Sequence, residues 1–65
     1  MMTRDRMAEI IRQSGYKKGF VAAHMGINTQ KLCDIIAGRR KISAEEYIAF
    51  CAFFKLLPDG TPMEG

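Results

Sequence analysis

The chain reads as an all-α domain: a compact bundle of four short helices, or five if the last residues close another. Three observations predict this. Apolar residues recur three and four positions apart in four separate stretches, which puts them on one face of a helix each time. Glycines at 15, 26 and 38 end three of those stretches, where a helix needs a left-handed residue to stop. Thr3, Asn28 and Ser43 stand just before three of them, where a side-chain oxygen can take a backbone N–H left unpaired by the first turn.

The first helix is expected after Thr3, ending near Ser14, with Met7, Ile10, Ile11 and Ser14 inward and Gly15 as its stop. Arg4, Arg6 and Arg12 fall outside the apolar stripe and read as solvated, with Arg6 or Arg12 able to reach an anion. The second helix, about Lys17 to Met25, breaks local rules. Two lysines stand where the helix dipole disfavours cations, no Ser, Thr or Asp caps it, and Gly19 weakens it by up to ~1 kcal/mol. Local cost without local gain points to a functional segment. Phe20 falls on its outer side, where packing against the first helix is expected, and His24 reads as a partly exposed surface residue.

Gly26 turns the chain, Ile27 closes the corner, and Asn28 caps a third helix, Thr29 to Ala37. Leu32, Ile35 and Ile36 face inward, while Thr29, Gln30, Lys31 and Asp34 face out. Gly38 stops this helix, so Arg39, Arg40 and Lys41 form a basic loop. Ser43 to Glu46 is a capping box for a fourth helix, Ala44 to about Lys55. Tyr47, Phe50, Cys51 and Phe54 complete the core. Ile48, Ala52 and Phe53 make the other side of that helix apolar as well. A surface so apolar needs a cover. Either the tail folds back over it or a second copy does. The second copy is preferred, with Ile48, Ala52, Phe53, Leu56 and Leu57 at the interface. From Asp59 on, the chain reads as a turn and then a frayed end.

Residues 17–37 thus have the pattern of a helix-turn-helix, whose second helix is offered to the DNA major groove. From Gly15 to Phe54 the chain resembles the Cro/repressor (XRE-type, lambda-repressor-like) helix-turn-helix family. The resemblance rests on the spacing of Ala22, Gly26, Ile27, Leu32, Ile35 and Gly38, within GYKKGFVAAHMGIN, TQKLCDII and AG. Two departures stand out. Lys17 and Lys18 occupy positions where the family carries Thr-Gln. Ile11 and Ile36 stand where the family commonly pairs an Arg with a Glu. Replacing both members of a buried ion pair by packed apolar groups is often neutral or stabilising, so the double change keeps the alignment and predicts that Ile11 and Ile36 are close in space.

The first turn of such a third helix reaches base edges first. Gln30 suits adenine N6 and N7, Thr29 offers a methyl to thymine, Lys31 suits guanine or a phosphate, and Asp34 can accept from cytosine N4. Lys17 and Lys18, with the free N–H groups of the second helix, form an anion site. The resemblance assigns the loop Arg39, Arg40 and Lys41 to phosphates, and Asn28 joins these five as a phosphate contact. An ordinary solvated polar face would also account for such residues.

Sixty-five residues allow one domain, which buries only about 60% of its unfolded surface. Apolar residues at 48% exclude a disordered chain. No apolar run approaches the ~20 residues of a membrane span, and no apolar signal core follows the basic start. Two isolated cysteines, Cys33 and Cys51, with one histidine offer neither a disulfide framework nor a zinc site, and fit reduced thiols in the cytoplasm. No cofactor, metal or small-molecule ligand is called for. Residues 1–41 carry nine Lys/Arg against three Asp/Glu, and residues 42–65 carry one against four. A basic front and acidic back suit a polyanion partner.

The chain therefore reads as a sequence-specific binder of double-stranded DNA. A homodimeric repressor acting by promoter occlusion is expected, of the sort found in prophages, mobile elements or toxin–antitoxin pairs. The alternative is a protein-interaction module or anti-repressor using the apolar side of the fourth helix. An enzyme is excluded by the lack of a paired acid, a Cys–His motif or a glycine-rich phosphate loop.

Overall fold

Three glycines in the left-handed region, Gly15, Gly26 and Gly38, divide the chain into its helices. The structure, a computed structural model, describes residues 2–63. Four helices follow in order: α1, Arg4–Ser14; α2, Lys18–Met25; α3, Thr29–Ala37; and α4, Ala44–Phe54. No fifth helix forms among the described residues.

The caps are local and follow from residue type. The Thr3 hydroxyl accepts from Arg6 N–H, Asn28 Oδ1 accepts from Lys31 N–H at 2.7 Å, and Ser43 and Glu46 form a reciprocal capping box. α2 is the exception. Lys17 occupies its N-cap position with no side-chain bond, so the helix begins one residue later than expected and its first turn keeps free N–H groups.

α2 packs against both α3 and α4, and α1 packs against α3. Phe50, Met7, Leu32 and Val21 are fully enclosed, one from each helix. Burying each side chain of this size contributes about 1.5–3 kcal/mol. Ile11 is buried and Ile36 half-buried, and the two line the same surface depression between α1 and α3. Ser14, expected inward, is exposed and instead bonds the end of α1: its hydroxyl donates to Ile11 C=O at 2.6 Å and accepts from Tyr16 N–H at 3.1 Å.

The tail corrects the expectation of a frayed end. Lys55 takes a left-handed conformation after α4, and the chain reverses. Leu56 bridges to Pro62, Leu57 N–H donates to Thr61 C=O at 2.7 Å, and Met63 N–H donates to Lys55 C=O at 2.9 Å. Tyr47 anchors this fold-back. Its hydroxyl accepts from Met2 N–H at 2.8 Å and donates to Pro58 C=O. Leu56 is consequently buried in the protomer's own core. It is not free for a second copy, because the reversal of the chain turns its side chain inward.

Phe20 does not pack against α1. It stacks on Tyr16 at 5.3 Å and meets Phe53 at 5.8 Å, and His24 lies 4.6 Å from each of Phe20 and Phe53. This half-open aromatic cluster ties the α1–α2 turn to α4, and such pairs add about 0.5–1.5 kcal/mol beyond their buried area. No helix is long and apolar enough to cross a membrane among the described residues.

Candidate nucleic-acid interface

Thr29 and Gln30 are exposed at the start of α3, and Asp34 is half-buried one turn later. Gln30 Nε2 donates to Asp34 Oδ1 at 3.1 Å, and Arg39 Nε donates to the same oxygen at 3.0 Å. One carboxylate thus aligns the exposed Gln30 with the first residue of the basic loop. The Asp34 carboxyl is held below its ordinary value, chiefly by Arg39 and then by Gln30. The amide of Gln30 has a second N–H and its oxygen left, the two groups that a bidentate contact with adenine uses.

Lys31 departs from this face. Its Nζ lies 2.6 Å from Glu46 Oε2, so its ammonium is engaged with the N-terminus of α4. Glu46 is buried, and its carboxyl is pulled below the usual range, first by Lys31 and next by Ser43 N–H. The pairing with the α4 cap leaves Lys31 a structural role between two helices. Asn28 is likewise occupied through Oδ1 as the cap of α3.

Lys17 and Lys18 are exposed beside the uncapped first turn of α2. Gly19 has a steric reason to be there: a Cβ built on it would lie 3.2 Å from Thr29 Oγ1. The starts of α2 and α3 therefore approach closely at Gly19 and Thr29. This approach accounts for the glycine in α2.

Arg39, Arg40 and Lys41 are exposed after Gly38. Sequence reasoning missed Arg4. Its guanidinium folds over Gly38, with Cζ 2.6 Å from where a Cβ would stand, so a fourth cation from α1 joins the loop at the negative end of α3. No periodicity marks a contact between a helix's first turn and another helix's stop.

Of the residues expected at a subunit face, Ile48 is 65% exposed and Leu57 43%. Ala52 is exposed, Phe53 is half-buried in the aromatic cluster, and Leu56 is internal. Ile48, Ala52, Cys51 and Met63 line a small apolar depression on that side. Cys33 and Cys51 are free thiols, and no group of three His, Cys, Asp or Glu is placed to hold a metal among the described residues. Comparison with protein-family models, curated proteins and solved structures gave no match to this chain.

Proposed function

We propose that this protein binds double-stranded DNA by inserting the N-terminal half of α3 into the major groove. Thr29 and Gln30 read base edges, Lys17 and Lys18 with the first turn of α2 hold one phosphate strand, and Arg39, Arg40 and Lys41 hold the other. The observation that carries the reading is the Gln30–Asp34–Arg39 chain, which links the exposed first turn of α3 to the basic loop. Asp34 orients Gln30 and Arg39, and Lys31 supports the reading helix from behind. A homodimer joined through Ile48 and Leu57 would set two such helices about one DNA turn apart, and promoter occlusion would make the protein a transcriptional repressor.

A salt titration tests the phosphate contacts. Each neutralised phosphate steepens the log–log dependence of affinity on salt by ~0.9, so Lys17→Gln and Lys41→Gln should each flatten the slope by about that amount. A slope near zero for the unchanged protein would remove the proposal.

The exposed Ile48 beside an apolar depression favours a second reading, a module that docks on another protein through this side of α4. Partner binding retained after Lys17, Lys18, Arg39 and Arg40 are all changed to Glu would select it.

A further inference from the structure

Between the first turn of α1, the end of α3 and the loop that follows lies an open cavity of about 370 Å³. Its floor is apolar, formed by Met7, Ile35 and Ile42 with Met2 at one side. Its rim is cationic: Arg4 from α1 and Arg40 and Lys41 from the loop. None of these three cations has an ion-pair partner among the described residues, where the pairs present are Arg12–Glu9, Lys31–Glu46 and Arg39–Asp34. Three like charges therefore converge on one concavity with no ion pair of their own; the field of Arg40 reaches Asp34, which Arg39 already holds. The size lies at the low end of small-molecule sites, ~300–1,000 Å³, and methionine side chains adapt to varied apolar shapes.

We infer that this cavity binds a small amphiphilic anion, a carboxylate or phosphate monoester head carried on a short apolar chain. The head sits among Arg4, Arg40 and Lys41, where charge-assisted hydrogen bonds are stronger than neutral ones, and the chain lies against the half-buried Ile42, over the enclosed Met7 and Ile35. Head alone or chain alone satisfies only half of the site. Arg40 and Lys41 also serve the DNA contacts proposed above, so occupancy lowers duplex affinity; this coupling, unlike the binding itself, rests on that reading.

The test is a titration followed by methyl NMR with four probes: octanoate, octyl phosphate, inorganic phosphate and octanol, the amphiphiles kept below micelle formation. Saturable shifts centred on Met7 and Ile35 with either anionic amphiphile, at least tenfold tighter than with inorganic phosphate or octanol, support the site, and the tighter of the two identifies the head group. Arg4→Gln and, independently, the loop variant Lys41→Gln should each weaken binding about tenfold. Equal binding of inorganic phosphate would mean an adventitious ion only. That result, equal binding of octanol, shifts centred on Ile48 and Met63, or no saturation would overturn the inference. Octanoate binding by a protein that binds no duplex leaves the site standing and removes the DNA reading instead.

Discussion

Lys31 Nζ and Glu46 Oε2 lie 2.6 Å apart, and this pair joins the outward helix α3 to the capping box that starts α4. Glu46 accepts from Ser43 N–H at 2.9 Å as well, so one buried carboxylate serves a helix start and an interhelical tie. Its carboxyl is lowered from the ordinary 4.5. A lowered carboxyl stabilises the fold above its unfolded-state value, and that contribution is lost as pH falls through the lower folded-state value. Glu46→Gln keeps an N3 partner for the cap but removes the charge. Urea unfolding should show the variant less stable at pH 7, with a shallower loss of stability below about pH 4.5 than the unchanged protein. Identical pH profiles would deny Lys31 its role.

Gly38 carries a φ of 85° and has the Arg4 guanidinium against it. Gly38→Ala should destabilise the domain by about 1–2 kcal/mol through the left-handed backbone and displace Arg4 as well. Thermal unfolding measures the first effect. Arg4→Gln alone should leave most of the stability in place, which separates the two. An unchanged melting temperature for Gly38→Ala would contradict the cap geometry.

Tyr47 holds both ends of the described chain, through Met2 N–H and Pro58 C=O. Tyr47→Phe leaves both groups without this partner, a loss of about 1–3 kcal/mol where such groups remain buried. Amide exchange should then accelerate at Leu57 and Met63, whose N–H groups close the tail, before it does in α2 or α3. Burial raises the hydroxyl above its ordinary 10.0, so the clasp loses stability as pH climbs past that value. Uniform exchange rates in the two proteins would remove the clasp.

The features legible in the sequence are those written within a few residues of one another. Thr3, Asn28 and Ser43 announce their helices because a cap is decided by the residue and the next three positions. Gly15, Gly26 and Gly38 announce the stops for a similar reason. Phe20, Arg4 and Lys31 were not legible in this way. Their partners, Phe53, Gly38 and Glu46, stand on other helices, and periodicity identifies a face without naming what faces it. The sequence leaves the tail's fold-back as one of two alternatives, because nothing in LLPDGTP reports that Tyr47 waits with a hydroxyl for Pro58. In the candidate site, the outward set at 29, 30 and 34 followed from helical spacing, whereas Lys31 shares that spacing and is drawn off by one carboxylate on α4.

Ile48 is the most exposed large apolar side chain of the described residues. If it centres a homodimer, Ile48→Asp should yield a monomer in sedimentation, with the helical content unchanged because the side chain supports no core contact. An unchanged sedimentation mass would leave the protein without the subunit face assigned to it.

The most direct measurement is selection of bound sequences from a random duplex pool, run in parallel with the unchanged protein and with Gln30→Ala. A defined motif should emerge for the unchanged protein and lose its preference at one position in the variant, by ~1–3 kcal/mol of discrimination, with non-specific affinity retained. No enriched motif, or a uniform loss of affinity across all sequences in the variant, would contradict α3 as the reading element.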